Sequence, residues 1–461
     1  MGSINKIVKR SPGFIKKLYY SSVPFSKRYG KVYENTLSFL MESSRWDIET
    51  KKEYQLTQMQ NLLSHCYLNI PFYKQIFIDN NWKPEDFRTV DDLKNFPELT
   101  KKIIMDNSNT MVASNLSWDR RYPITTSGSS GDKLKFYVND NVFKREAAFN
   151  MRAYLEQGAK MYDTPSVWLR RYVPKNSDSP LWYYDYELKR LYMSAYHLND
   201  KTIGQYIDKI NSGNYQTICT YPSSAYILAC LCEENNLKLN KIEKIHVTSE
   251  KMLNQWYDKV EDILGIKPCG HYGQMEKVSF MHQTESSRDY NQNLEYGIDE
   301  FYDNGDGTHG LIATGFINYY MPLIRYRAED TFVLENGKVK EINGRSSDIL
   351  VSSNGSRLPG VNFYSWIDKK MPAVKMFQII QKSEKNIIFK YVQNADHSED
   401  IHSEILSGLT SRLGDMNYDI MKVSEIPRDE KTQKIRSIIN QTADEKHSKK
   451  SNTTHMASRS I

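Results

Sequence analysis

The residues best equipped for chemistry fall into clusters, and the densest is Thr125-Thr126-Ser127-Gly128-Ser129-Ser130-Gly131, followed by Lys133 and Lys135. Glycines let a backbone approach a ligand, hydroxyls donate to phosphate oxygens and lysines offset their charge, so the run reads as a phosphate cradle. An ordinary Ser/Gly loop has the same composition, and that reading stays open. The spacing excludes a Walker A loop, which needs Gly-Lys after a fixed gap, and a Gly-x-Ser-x-Gly nucleophile elbow. Downstream lie His271-Tyr272-Gly273-Gln274-Met275-Glu276, then Met321 to Asp330 with Ile324-Arg325-Tyr326 inside it, then Gly344-Arg345-Ser346-Ser347-Asp348. An aromatic face can stack a base, one carboxylate can ligate Mg2+, and another can hold two ribose hydroxyls. Taken singly, Glu276 reads first as a surface carboxylate, Asp330 as a turn residue and Arg345 as an ion-pair partner.

These clusters need elements to hold them. Leu56, Met59, Leu62, Leu63 and Cys66 recur at helical spacing, and that helix must close before Pro71. From Ile124 onward the periodicity alternates. Val142 to Tyr154, Ile203 to Ile210, Ala225 to Glu233 and Met252 to Leu264 read as helices, and Ile245 to Thr248 and Leu311 to Thr314 as strands. That alternation predicts an α/β fold with mixed, largely parallel sheets. Beyond Gly344 the pattern shifts to strands near Val374 to Ile380, Ile387 to Val392 and Met421 to Val423, with a helix near Ile401 to Leu413. The expected organisation is a large domain over residues 1–345 with a helical N-terminal part, a small mobile α+β domain over 346–440, and a disordered tail over 441–461.

Composition narrows the class. The chain has 461 residues, 39% hydrophobic and 26% charged, with a net charge of +6 spread over 62 basic and 56 acidic side chains. A balance so mixed in sign points to a globular body and gives no reason to invoke nucleic acid. Five cysteines without framework spacing suit a reducing cytoplasm and predict no zinc site. No apolar run reaches the length that spans a bilayer. One end differs: every charge from Lys6 through Lys9, Arg10, Lys16, Lys17, Lys27 and Arg28 to Lys31 is positive, with Phe14, Ile15 and Leu18 interleaved. That segment can rest weakly on an anionic membrane surface, or dock on its own domain.

In their order, these clusters resemble the adenylate-forming superfamily, in particular the phenylacetate-CoA ligase-like branch that includes members encoded with capsule and surface-polysaccharide genes. The resemblance covers roughly Leu56 to Ile438 and includes Leu62-Leu63-Ser64-His65 to Pro71-Phe72-Tyr73, Tyr221-Pro222-Ser223 and Thr248-Ser249-Glu250. It implies that Thr126, Ser127, Gly128, Ser129, Ser130 and Gly131 hold the phosphates of ATP. It places Tyr272 and Gly273 by the adenine, Asp330 on the ribose with Arg345 beside it, Glu276 on Mg2+, and Asp348 at an interdomain hinge. The segment Ile426-Pro427-Arg428-Asp429-Glu430-Lys431-Thr432-Gln433-Lys434 is similar to the family's terminal lysine motif. Lys434 is therefore the candidate catalytic lysine, with Lys431 as its substitute because Gln433 replaces a glycine and one residue is added. The acid's pocket would lie around Ser223, His246, Ser249, His271 and Gln274, although taken by themselves His246 and His271 read first as satisfied structural histidines, the commoner case.

The implied reaction is ATP-dependent activation of a carboxylic acid to an acyl-adenylate with release of pyrophosphate, then acyl transfer to an acceptor. Coenzyme A is the default acceptor; an amino-sugar amine or a carrier-protein thiol in surface-polysaccharide biosynthesis would use the same adenylate. Two other classes compete: a non-catalytic descendant that binds nucleotide or acyl ligand, and a membrane-associated scaffold.

Overall fold

The computed structural model describes residue 8 and residues 11–441, without 117–120, 126–133, 160, 171, 173, 175–178, 346–348, 354–356, 360–362, 364–365, 368–369, 395 and 428–434; at 121, 125, 196, 344, 345, 349 and 357–359 it describes the backbone alone. The N-terminal part is helical. Helix α1 (Ile48–Asn69) begins where the Asp47 carboxylate accepts from the Thr50 N–H at 2.8 Å and stops before Pro71. Its buried face, Met59, Leu62, Leu63 and Cys66, is the face marked by the helical spacing. A separate short helix, Gly13–Ser22, leaves Phe14 and Leu18 exposed beside Lys16 and Lys17.

A two-stranded ribbon, β1 (Arg121–Thr125) and β2 (Lys135–Asn139), pairs antiparallel with Thr125 opposite Lys135. It leads into helix α2 (Asp140–Glu156), capped by the Asn139 side chain. The main sheet then assembles from β3 (Ser166–Arg170), β4 (Trp182–Asp185), β5 (Arg190–Ser194), β6 (Thr217–Thr220), β7 (Lys244–Thr248), β8 (Pro268–Gly273), β9 (Phe280–Thr284), β10 (Ser287–Gln292), β11 (Gly297–Asp303), β12 (His309–Gly315), β13 (Tyr326–Glu335) and β14 (Lys338–Arg345). Their order is β11-β12-β13-β14-β10-β9-β8-β7-β6-β3-β5-β4.

Within this sheet, parallel pairing among the described residues joins β3, β5, β6, β7 and β8. There α3 (Ile203–Ser212), α4 (Pro222–Glu234) and α5 (Asn254–Leu264) provide the crossovers that parallel neighbours require. The remaining strands pair antiparallel, so the sheet is mixed and less parallel than the alternation of elements predicts. The physical reason lies in the connections. Asn336-Gly337, for example, closes β13 onto β14 with φ of 51° and 74°, the left-handed pair that a two-residue hairpin demands.

Beyond β14, a short ribbon of β15 (Ile349–Val351) and β16 (Arg357–Pro359) precedes a four-stranded sheet. That sheet holds β17 (Val374–Gln381), β18 (Asn386–Gln393), β19 (Asn417–Lys422) and β20 (Ile438–Asn440), with helix α6 (His402–Leu413). One apolar cluster joins the N-terminal helices to the antiparallel strands, while a second runs from α3, α4 and α5 to Phe377, Phe389 and Leu409 of the small sheet and its helix. The Lys375 ammonium meets Glu234 at 2.9 Å across the same boundary.

Candidate active site at the carboxyl end of the parallel strands

Ligands of open α/β sheets gather beyond the carboxyl ends of parallel strands. Strand β8 carries Tyr272 to that edge, and its hydroxyl donates to Asp330 Oδ2 on β13 at 2.7 Å. Gln274, just past β8, donates through Nε2 to the Tyr272 oxygen at 2.5 Å and to Asp330 Oδ2 at 3.3 Å. The backbone of Arg345 lies directly opposite Asp330 in the β13–β14 ladder. Tyr272 and Asp330, 58 positions apart in sequence, thus meet in one hydrogen-bonded knot with Gln274. Burial, and then the Asp330 charge, push the Tyr272 phenol well above its ordinary value, so it remains an O–H donor. Its ring stands edge-on to Phe332 with centroids 5.4 Å apart. Tyr326 donates to Glu276 Oε1 at 3.4 Å, which brings a second carboxylate to the same corner.

On β7 and β8 a second set of residues forms a relay. Gln157 Nε2 donates to the carbonyls of Gly270 and Gln283, both at 3.0 Å, so its Oε1 is the acceptor facing His246 Nδ1 at 2.5 Å. His246 Nε2 is then the acceptor for His271 Nδ1–H at 2.7 Å, and His271 Nε2 is left as an acceptor. Burial, then the adjacent ring and the Arg170 charge, depress His246 far below its usual range. Burial first and Arg170 second bring His271 down to about 3. Both rings are neutral near neutral pH. Next to them, Ser249 directly follows β7 with φ of +79°, a conformation that strains a residue bearing a Cβ and that recurs at functional sites.

Glu250 binds two separate elements. Its Oε2 accepts from the Ser223 N–H at 3.0 Å in the first turn of α4, and its Oε1 accepts from the Ile435 N–H at 3.1 Å. Ile435 directly follows Lys434. The Ser223 hydroxyl is buried without a partner among the described residues.

The C-terminal residues 350–441 match the model of the CapK C-terminal domain family. Over 443 residues the chain is 26% identical to the protein CapK of Staphylococcus aureus, covering 92% of this chain and 96% of that one. Phenylacetate-coenzyme A ligase of Pseudomonas putida is 23% identical over 380 residues, covering 78% and 82%. These likenesses agree with the resemblance to the adenylate-forming superfamily. A crystal structure of 2-hydroxyisobutyryl-CoA ligase in the postadenylation state with 2-HIB-AMP shares the fold at a TM-score of 0.65 and 13% identity, over 88% of this chain and 93% of that one.

Of the residues that the adenylate-forming resemblance singles out, Tyr272, Gly273, Gln274, Glu276 and Asp330 come together, as do His246 and His271. Ser223 and Ser249 lie at neighbouring strand ends. The loop Thr126 to Gly131, the hinge position Asp348, and Lys431 and Lys434 lie outside the described residues, and Arg345 is described by its backbone alone. The donor set fits a nucleotide. Among the described residues nothing donates to Asp330 Oδ1, which leaves an acceptor for a ribose hydroxyl beside a fixed phenol. Among the described residues there is no cluster of three metal-ligating side chains. Mg2+ characteristically binds through one or two carboxylates and the substrate's phosphates, a role open to Glu276.

Within the Ile-Arg-Tyr motif, Arg325 is a clamp rather than a ligand group. It pairs with Glu300 at 3.0 Å and donates to the carbonyls of Lys94 and Phe96, fastening the N-terminal segment to the sheet. Sequence reasoning missed Gln157, Arg170 and Glu250 as parts of this corner. Glu250 stood inside a quoted motif, but its partners, 27 and 185 positions away, leave no local signal.

Proposed function

We propose that the chain activates a carboxylic acid with ATP and passes the acyl group to coenzyme A. The substrate carboxylate attacks the α-phosphorus, the bond to the bridging oxygen breaks, and pyrophosphate leaves with its electron pair. The observation that carries this reading is the Tyr272–Gln274–Asp330 knot facing the Arg345 backbone, because it presents a carboxylate oxygen and a protonated phenol where the superfamily's order of motifs calls for a nucleotide. In this reading Asp330 accepts from the ribose, Tyr272 and Gly273 border the adenine, Glu276 carries Mg2+, and Thr126 to Gly131 receive the phosphates. Lys434 offsets charge growing between carboxylate and α-phosphate. The small domain over 346–440 turns about Asp348 between the two half-reactions, so each uses its own arrangement of the site.

Support for coenzyme A as acceptor comes from the likeness to phenylacetate-coenzyme A ligase. Transfer to an amino-sugar amine or a carrier-protein thiol is the second reading, kept because CapK is matched along nearly its whole length. We place the reaction in the cytoplasm, in keeping with five buried free cysteines. A weak contact between the basic N-terminal helix and an anionic surface belongs to the same proposal, supported by Phe14 and Leu18 exposed beside Lys16 and Lys17.

ATP–pyrophosphate exchange on two variants tests the reading. Lys434→Ala is expected to lower exchange roughly 100-fold, the scale of one well-placed charge-stabilising group, with ATP binding retained. Lys431→Ala is expected to stay near wild type. The opposite ranking transfers the role to Lys431, and exchange unaffected by either variant contradicts the lysine assignment.

A further inference from the structure

Arg170 closes β3 at the carboxyl edge of the parallel strands. Its guanidinium carbon lies 4.7 Å from the Tyr221 ring centroid and 5.7 Å from that of Trp168, so aromatic contacts hold the group. Comparable arginines have acidic partners: Arg152 has Glu295, Arg325 has Glu300 and Arg327 has Glu98. Arg170 has no hydrogen bond or ion pair with any described residue, and its Nε is buried with no acceptor. Leaving a buried donor of a cation unsatisfied is costly, and the natural remedy is an anion that arrives with a ligand.

Neighbouring groups fit that purpose. The Ser223 hydroxyl, two positions past Tyr221, is also buried without a partner among the described residues. The charge of Arg170 acts on His246 and His271, but both are neutral and neither balances it. Strands β6 and β7 separate β3 from β8. At about 4.8 Å per strand step, the Arg170 backbone lies about 14 Å across the sheet from that of Tyr272. The guanidinium is thus well placed for the far end of a molecule lying across β7 and β6 and badly placed for the nucleotide at Tyr272 and Asp330.

We propose that Arg170, with the Ser223 hydroxyl, receives a second anionic group on the acid, distal to the carboxylate that is activated, so that the substrate is a doubly anionic acid such as a dicarboxylate. This rests on reading the site as acid-activating. A guanidinium fork meets a carboxylate through two parallel N–H···O bonds, which gives direction as well as attraction. A singly charged acid of the same length covers the guanidinium and leaves it unpaired, so the site discriminates by penalty too.

The test compares matched acids, hexanoate with adipate and benzoate with terephthalate, by acid-dependent pyrophosphate release on wild type, Arg170→Gln and Arg170→Lys. The expected kcat/KM ratio of doubly to singly anionic acid in wild type is about 30-fold or more in at least one pair, the scale of a charge-assisted hydrogen bond. Arg170→Gln is expected to bring that ratio to near one, and Arg170→Lys to restore part of it. A wild-type ratio of one or below in both pairs, or a ratio that Arg170→Gln does not move, overturns the proposal and leaves acid activation standing. Thermal shift with adipate and with terephthalate supplies a readout free of turnover. A rise in Tm lost in Arg170→Gln upholds the anion site even without pyrophosphate release, a result that counts against the enzyme reading instead. No rise with either dianion in a protein that also releases no pyrophosphate overturns the anion site.

Discussion

At the scale of single residues, the site depends on which atoms hold protons. The chain from Gln157 through His246 to His271 has one consistent arrangement, and both imidazoles are neutral because burial opposes their charge. The consequence for stability has a definite sign. Unfolded histidines take up protons below about pH 6.5, whereas His271 in the fold does so only near 3, so the unfolded chain binds more protons in between. Stability is therefore undiminished above about pH 6.5 and falls as pH drops, by up to ~1.4 kcal/mol per pH unit for each ring. Urea unfolding of His271→Gln between pH 5 and pH 7.5 is expected to show a slope smaller by about one proton; a slope equal to wild type contradicts the assignment. Motif order marked His271, Tyr272, Glu276 and Asp330 as candidates. It left Gln157 and Arg170 unmarked, since their partners lie on strands and turns far away in sequence and neither sits in a motif of its own.

Among elements, the parallel strands bring Ser223, His246, Ser249, His271 and Tyr272 to one edge, and Glu250 ties that edge to the small sheet. Its carboxylate takes the Ser223 N–H, one of the unsatisfied donors of a helix N-terminus, and the Ile435 N–H beside the candidate lysine. Glu250→Gln keeps one acceptor and places an amide group against the other donor. We expect pyrophosphate exchange to fall about 10-fold, in line with ~1.5 kcal/mol for a hydrogen bond to a charged group, while transfer from supplied acyl-adenylate to coenzyme A changes less than threefold. Equal losses in both half-reactions make Glu250 merely structural. The helices were readable because their apolar spacing is regular, as in Met59, Leu62, Leu63 and Cys66. The antiparallel half was not, because strand direction depends on connection geometry and on pairings such as that of Tyr290 with Val339 between β10 and β14, which leave no periodic trace.

For the whole molecule, two features extend beyond the site. After the change of sequence pattern at Gly344 the chain forms the short ribbon and the four-stranded sheet, and the second apolar cluster ties that sheet to the side chains of α4 and α5. The N-terminal helix presents Phe14 and Leu18, one turn apart, between lysines with no acidic residue in its first turn. Flotation on vesicles rich in phosphatidylserine is expected to retain wild type at low salt and release it at about 0.5 M, where screening is short-ranged, with Phe14→Ser/Leu18→Ser released at both. Salt-independent flotation, or none, contradicts a surface contact. The central claim remains that this corner activates an acid. Its most direct measurement is pyrophosphate release from Mg-ATP against a panel of carboxylic acids without acceptor, repeated with coenzyme A. Release that depends on the acid and rises with coenzyme A is the predicted result; silence across a broad panel while ATP still binds would contradict it.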